Sequence, residues 1–108
     1  MRFMSLHPAR IDEPSARVVQ AAHGRPRTAV QIAAATGVPV AAVFPRIRQL
    51  MAMGVLREEA RVVDARGREI SFYISTLRHR AIFIENGRPR IRLSMDAEAL
   101  EASLEGLL

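Results

Sequence analysis

The sequence predicts an α+β domain in which three helices are followed by two β-hairpins and a short C-terminal helix. Three observations predict it. Apolar residues recur at helical spacing between positions 12 and 54, and apolar and polar residues alternate at the period of a strand at 70–75 and 88–93. Glycine, proline or asparagine marks most boundaries between these segments. A chain of 108 residues is expected to form one domain. We divide it into a core at 12–76, an extra hairpin at 77–93 and a terminal helix at 94–108.

The amino-acid composition excludes several kinds of functional site. The chain has no cysteine, which excludes disulfides, thiolate metal sites and a cysteine nucleophile. No apolar run approaches the length of a membrane span, and the first ten residues lack the apolar core of a secretory signal, so we expect a cytoplasmic protein without a membrane partner. Residues 1–93 carry sixteen arginines against seven acids, whereas residues 94–108 carry four acids and no base. The basic body favours a polyanionic partner, although charge alone does not distinguish DNA, RNA and an acidic protein surface.

The first ten residues have no clear period and predict an arm or a short strand. Helix 1 then begins at the acidic, proline-marked segment 12–14 and ends before Gly24. Its apolar side consists of Val18, Val19 and Ala22. This side predicts packing against the rest of the domain.

Helix 2 has clear signals at both ends. The hydroxyl of Thr28 is placed to accept a hydrogen bond from a backbone amide, with Gln31 as its capping-box partner, so the helix should begin at about Ala29. It should end near Thr36, because Gly37 readily adopts the left-handed conformation that closes a helix. Pro39 then suits the first turn of helix 3.

Helix 3 is predicted to be amphipathic. Its packed side contains Val43, Ile47, Leu50 and Gly54, with Val40 and Met51 at the edge, and Gly54 is expected to cap the end. The opposite side contains Ala41, Pro45, Arg48, Gln49 and Ala52, with Ala42 alongside. Pro45 removes a backbone hydrogen bond inside the helix, so we expect a kink or an interruption at a cost of about 3 kcal/mol.

Two hairpins follow. In the first, 55–63 and 69–75 are strand-like, the turn at 64–68 contains Gly67, and Ile70, Phe72 and Ile74 are predicted to form one buried face. In the second, Asn86 and Gly87 predict a two-residue turn between strands at 79–85 and 88–93. Residues 81–84 are all apolar, which predicts burial on both faces. Pro89 indicates that the last strand lies at a sheet edge or starts irregularly.

The terminal helix is predicted from the leucines near the C-terminus. Ser94 or Asp96 would cap a short helix that carries Leu100, Leu104, Leu107 and Leu108 on one side. These leucines would pack either within the chain or across a homodimer. We assign them as a candidate dimerisation surface.

Residues 15–75 resemble a winged helix-turn-helix domain of the MarR-type and ArsR-type bacterial transcription regulators. The resemblance rests on the segment 28–39, the spacing of Val43, Ile47 and Leu50, the segment 54–56 and the arginine-bearing hairpin tip at 64–68. It covers a little over half the chain. It implies a bacterial or phage repressor or related regulator, of a kind that usually acts as a homodimer. Such a protein places helix 3 in the major groove of double-stranded DNA and the hairpin beside the minor groove.

The side-chain chemistry of helix 3 gives this expectation specific residues. Arg48 is suited to guanine or phosphate and Gln49 to adenine, while Ala41 and Ala42 would lie against thymine methyl groups. Arg46 lies nearer the packed side and is expected to reach a phosphate. The remaining expected DNA contacts are Thr28, Arg66 and Arg68, with further phosphate contacts at Arg25, Arg27, Arg88, Arg90 and Arg92. Charges at hairpin tips and edge strands also serve solubility, so these arginines have a second interpretation.

Other functions have little support in the sequence. His7, His23 and His79 are widely spaced and have no neighbouring acidic cluster, so we predict no metal site and no cofactor. We find no nucleophile with a base, no catalytic carboxylate pair and no phosphate-binding loop, which predicts that the protein is not an enzyme. The alternative function is a winged-helix module of a phage or plasmid accessory protein that binds an acidic protein partner. Pro45, the alanine-rich outer face of helix 3 and the extra hairpin favour that alternative.

Overall fold

The computed structural model describes residues 9–95 and 99–105, and these form an α+β fold with two separate sheets. The helices are α1 (Glu13–Ala21), α2 (Ala29–Thr36) and α3 (Val40–Ala52). Strands β2 (Leu56–Val63) and β3 (Glu69–Ser75) form a two-stranded antiparallel sheet. The second sheet is formed by β1 (Ala9–Arg10), β4 (Leu77–Glu85), β5 (Arg88–Met95) and β6 (Ala99–Ser103).

The second sheet has the strand order β1-β6-β5-β4. Strand β1 pairs with β6 in parallel, and the other neighbours are antiparallel. In the interior of the sheet, Leu93 lies opposite Leu100 and Ile91 opposite Ala102, and these four side chains are buried. Strand β6 also packs beside α1, which joins the sheet to the helical core.

The predicted fold class is wrong. A winged helix-turn-helix with an added hairpin and a terminal helix is dominated by its helices, whereas the described chain has six strands in two sheets. The largest error is the predicted helix at 94–108, because Ala99–Ser103 is a strand. Leu100 and Leu104 are four residues apart, which fits both a helix and a strand. Pairing with β5 decides in favour of the strand, because it satisfies the backbone groups of β6.

The predicted dimerisation surface depended on the helix at 94–108 and has to be revised as well. Leu100 and Leu104 are 0% and 4% exposed, so both belong to the core of a single chain. Leu107 and Leu108 lie outside the described residues. The same holds for positions 1–8 of the predicted N-terminal arm, while residues 9 and 10 form the short strand β1.

The local signals in the helical region are confirmed. Asp12 caps α1, accepting from the backbone N–H of Ser15 at 2.9 Å. Thr28 and Gln31 form the predicted capping box, and Gly37 ends α2 with φ 75° in the left-handed region. Val43, Ile47 and Leu50 of α3 are at most 2% exposed. The helical core therefore forms as the apolar periodicity predicts.

Helix α3 differs from its prediction at Pro45, because the helix continues through this residue. The carbonyl of Ala41, one turn earlier, cannot receive a bond from the missing N–H. After Ala52 the chain leaves the helix through Gly54 at φ 79°, and the N–H of Val55 bonds to the carbonyl of Leu50 at 3.0 Å.

The second hairpin has the predicted turn but a different environment. Asn86 and Gly87 both have positive φ, as a tight two-residue hairpin turn requires. Strand β5 is an interior strand, and its pairing with β6 begins at Arg90, after Pro89, so the proline marks the strand's start rather than a sheet edge. The prediction that 81–84 is buried on both faces is wrong. Ile82 and Ile84 are 64% and 68% exposed, because β4 is the last strand of its sheet.

Candidate nucleic-acid interface

The candidate interface is centred on the connection between α2 and α3. Three residues, 37–39, join the two helices, and the chain bends by 112° between them. Gly37 makes the turn possible through its positive φ, and the carbonyl of Pro39 accepts from the N–H of Val43 at 3.1 Å to start α3. Because α2 packs against α1 and α3 through buried residues such as Ile32, the outer side of α3 has a fixed orientation.

The outer side of α3 is the one that the sequence predicts. Ala41, Pro45, Arg48, Gln49 and Ala52 are all exposed, and Ala42 is half-buried. Among the described residues, nothing forms an ion pair or a side-chain hydrogen bond with Arg48 or Gln49. Their guanidinium and amide groups are therefore available to an external partner.

A strip of apolar side chains runs beside this polar face. Val40, Phe44 and Met51 are 42%, 45% and 38% exposed, and they follow one another at helical spacing. The sequence places Val40 and Met51 at the edge of the packed side, but it gives no signal that Phe44 is open to solvent. The exposed side of α3 is thus part polar and part apolar.

Two of the predicted DNA contacts are engaged within the protein. Arg46 donates to the Asp12 carboxylate at 3.1 Å and to the carbonyl of Ala42 at 3.0 Å. The Thr28 hydroxyl accepts from the N–H of Gln31 at 3.1 Å, and the Gln31 side chain accepts from the N–H of Thr28. Arg46 therefore links α3 to the start of α1, and Thr28 stabilises the start of α2.

The two arginines at the tip of the β2–β3 hairpin differ in their hydrogen-bond partners. The Asp64 carboxylate accepts from the backbone N–H groups of Arg66 and Arg68 at 2.8 and 2.9 Å, and from Nε of Arg68 at 2.8 Å. The bond from the backbone of Arg68, with the other bonds, lowers the pKa of Asp64 despite its partial desolvation. Arg68 is therefore already neutralised, whereas the Arg66 guanidinium has no partner among the described residues.

An open cleft of about 530 Å³ lies between α2 and the β2–β3 hairpin. Its lining combines Arg25, Pro26, Arg27, Gln31, Ala34, Ala35 and Phe72. The backbone of Arg27 bonds to the backbone of Tyr73 in both directions, at 2.8 and 2.9 Å, and this bridge holds the loop before α2 against the hairpin. The prediction that Ile70, Phe72 and Ile74 form a buried face is wrong, because all three are only half-buried and Phe72 lines the open cleft.

The arginines of β5 lie on the other sheet. Arg92 pairs with the buried carboxylate of Glu101 at 2.9 Å and stacks over the Phe83 ring at 5.2 Å. Arg88 and Arg90 lack a charged partner within the described ranges. Of the predicted contacts, the structure therefore groups Arg25 with Arg27 at the cleft and Arg48 with Gln49 on α3, and it places the β5 arginines on a separate element.

The helical segment and the first hairpin differ in net charge. Residues 25–52 include four arginines and no acidic residue. The first hairpin has equal numbers of both charges: Arg57, Arg61, Arg66 and Arg68 against Glu58, Glu59, Asp64 and Glu69. Several of these form ion pairs, such as Arg61 with Glu58 at 2.9 Å, a bond that lowers the pKa of Glu58. The first hairpin is therefore electrically balanced, whereas the segment 25–52 is positive, as are β4 and β5 with five arginines against one glutamate.

Comparisons with protein-family models, curated proteins and solved structures found no match for this chain. Within residues 9–95 and 99–105, no group of three or more histidine, cysteine, aspartate or glutamate side chains is arranged to hold a metal ion. Nor is any single helix in these ranges long and apolar enough to cross a membrane. Only α2 and α3 taken together reach that length and composition, across their 112° bend.

Proposed function

We propose that this chain binds double-stranded DNA as a small transcription regulator, a repressor acting as a homodimer in the cytoplasm. The observation that carries the proposal is the geometry of α2 and α3. Helices joined by three or four residues at about 90–120° are the arrangement with which helix-turn-helix proteins bring their second helix to the major groove. Here the bend is 112°, and Arg48 and Gln49 are exposed on the second helix without partners.

The chemistry of the exposed α3 face supports this function. A guanidinium such as that of Arg48 donates two hydrogen bonds to guanine, and an amide such as that of Gln49 pairs with adenine. Ala41 and Ala52 are small enough to allow close approach to the groove. No acidic residue lies between 25 and 52, and the neighbouring Asp12 carboxylate is paired with Arg46, so the unpaired charge of Arg48 favours phosphates at this surface. A protein bound there would block other proteins from the same base pairs, which is why we propose repression.

The experiment is selection of bound duplexes from a random pool, followed by fluorescence anisotropy on the enriched sequence. We expect log affinity to fall linearly with log salt concentration. Arg48→Ala should reduce discrimination between the enriched and a scrambled duplex by about tenfold, since one bidentate base contact is worth roughly 1–3 kcal/mol. The matched control is Arg57→Ala, which removes an exposed arginine that is paired with Glu59 at 3.0 Å.

The hairpin tip provides a second, distinguishable contact in the same experiment. Arg66→Ala should weaken binding to enriched and scrambled duplexes equally and reduce the salt slope by about one, as for a phosphate contact. Arg68→Ala should have the smaller effect, because Asp64 already neutralises Arg68. Absence of duplex binding at low salt would refute the proposed function.

The apolar strip at Val40, Phe44 and Met51 favours a second candidate, a module that binds an acidic protein partner. Such a strip, bordered by Arg48, resembles the mixed apolar and arginine-rich centre of protein interfaces. In this case Phe44→Ser would abolish a stoichiometric complex that survives nuclease treatment, and it would leave duplex affinity unchanged. If Phe44→Ser instead lowers duplex affinity and no such complex forms, the DNA-binding function is favoured.

A further inference from the structure

Strand β4 has an open edge. It is the outermost strand of its sheet, and among the described strands its only hydrogen-bonded neighbour is β5. Its apolar segment 81–84 contains no charge and no proline, and its pairing with β5 is regular from His79 to Glu85. Edge strands normally carry charges, prolines or bulges, because unpaired backbone groups attract other strands. In β4 the charges at Arg78, Arg80 and Glu85 and the register shift between Leu77 and His79 flank the segment 81–84, which has no such protection and is suited to strand pairing.

The apolar face of β4 continues the core outward. Ile82 lies directly opposite Ile91 of β5, which is only 2% exposed, whereas Ile82 itself is 64% exposed. Ile84 is on the same face and 68% exposed. The buried face of the sheet thus ends abruptly at its last strand, although the sequence remains apolar there.

The backbone pattern determines which residues face the open edge. In a two-residue hairpin, the residues that flank the turn form a hydrogen-bonded pair, and such pairs then recur at every second residue. Glu85 and Arg88 flank the Asn86–Gly87 turn. The alternation therefore directs the N–H and C=O groups of Arg80, Ile82 and Ile84 away from β5.

These three residues are self-complementary in an antiparallel arrangement. With Ile82 opposite Ile82 of a second copy, Arg80 lies opposite Ile84, Ala81 opposite Phe83 and His79 opposite Glu85. The pairing combines apolar contacts at the centre with an imidazole and a carboxylate at each end, and no like charges meet. A parallel arrangement in register would instead place Arg80 against Arg80, which is unfavourable.

We propose that β4 is a homodimer interface, in which two copies of the chain pair their β4 strands antiparallel about Ile82. Each of the pairs that Arg80, Ile82 and Ile84 make exchanges two backbone hydrogen bonds. The two four-stranded sheets then merge into one continuous sheet, and the side chains of Ile82 and Ile84 lose solvent exposure. The interface does not depend on DNA binding, since it uses neither α3 nor the first hairpin.

The first test is the oligomeric state measured by sedimentation equilibrium over a range of protein concentrations. The unmodified chain should show a reversible monomer–dimer equilibrium. Ile82→Lys places two ammonium groups opposite each other and should raise the dimer dissociation constant at least about tenfold. The matched control is Val63→Lys on β2, because Val63 is 65% exposed but lies outside the proposed interface. Equal effects of the two variants, or a monomer at every concentration, would overturn the proposal.

The second test uses cysteine cross-linking, for which the absence of native cysteine makes single replacements unambiguous. In a hydrogen-bonded antiparallel pair, facing Cα atoms are about 5.5 Å apart, within the range that a disulfide spans. Ile82→Cys should therefore form a disulfide-linked dimer under mild oxidation in dilute solution. Val63→Cys should remain monomeric under the same conditions. A dimer that persists without cross-linking at position 82 would place the interface elsewhere and refute the pairing proposed here.

Discussion

Asp12 connects two elements with one carboxylate. Its Oδ1 accepts from the N–H of Ser15 to cap α1, and its Oδ2 pairs with Arg46 of α3 at 3.1 Å. Partial burial acts to raise the pKa of Asp12, but the bonds from Ser15 and the pairing with Arg46 outweigh it. The net pKa lies below the ordinary value of 3.8. A single residue therefore stabilises the helix start and fixes the neighbouring helix.

The lowered pKa of Asp12 predicts a stability contribution that depends on pH. Because the folded state holds this carboxylate ionised more strongly than the unfolded state, the contribution is present at neutral pH and lost as pH falls through 3.8 and below. Asp12→Asn keeps a capping oxygen but cannot titrate. We expect the variant to be less stable at pH 7 by under about 1 kcal/mol, since the Asp12 side chain is 56% exposed.

Urea unfolding from pH 7 to pH 2.5 measures this difference. The gap between the wild-type chain and Asp12→Asn should be constant above roughly pH 5 and should shrink toward zero in acid. Glu105→Gln is the control, because the Glu105 carboxylate has no partner within the described part of the chain. A gap that widens in acid would mean that Asp12 is not stabilised as a carboxylate.

Among the helices, α3 contains a proline in its interior. Its buried side is complete, with Val43, Ile47 and Leu50 packed inside. Pro45 lies on the exposed side, where its ring faces solvent rather than the core. Packing of the buried side therefore keeps the helix continuous despite the lost hydrogen bond at the carbonyl of Ala41.

Removing the proline should stabilise the protein. Pro45→Ala restores the N–H that bonds to Ala41 and relieves the clash of the ring with that carbonyl, so we expect the free energy of unfolding to rise by up to about 3 kcal/mol. The control is Ala52→Gly on the same exposed side, which should lower stability by under about 1 kcal/mol, because Ala52 is the last residue of the helix. Thermal and chemical unfolding measure both. An unchanged or lower stability of Pro45→Ala would show that the surrounding structure already compensates for the proline.

The elements also show what local sequence signals determine. The Thr28 capping box, the left-handed Gly37 and the Asn86–Gly87 turn depend on residues within a few positions of one another, and all three were predictable. The buried side of α3 follows from its periodicity in the same way. The pairing of Arg46 with Asp12 was not predictable, because 34 positions separate the two residues and no local pattern records their approach.

In the whole molecule, the predicted fold class is wrong for the same reason, because residues distant in sequence form the second sheet. Strand β1 pairs with β6, which brings Ala9 beside Leu100. A leucine spacing of four fits a helix or a strand, so only the presence of the β5 edge decides between them. Ile82 shows the opposite error. Its apolar run predicts burial, but the side chain is exposed because the sheet ends at that strand. Local sequence patterns therefore do not determine which strands pair in the sheet.

The proposed interface and the proposed function together predict how the dimer would bind DNA. Two chains paired through β4 carry two α3 helices related by a twofold axis, and each would contact one half of a palindromic site. Binding of the second helix then occurs within the same complex, at a high effective concentration. Dimerisation should therefore increase the affinity for a two-site duplex more than the affinity for a single half-site.

Anisotropy titrations of Ile82→Lys with both duplexes measure this coupling. We expect the variant to bind the two-site duplex at least about tenfold more weakly than the wild-type chain, and to bind the half-site with unchanged affinity. Val63→Lys should leave both affinities unchanged, or raise both slightly through its added charge. Equal losses on both duplexes would mean that residue 82 contributes to the DNA surface itself. No loss on either would mean that the chains contact DNA independently, even if β4 joins them in solution.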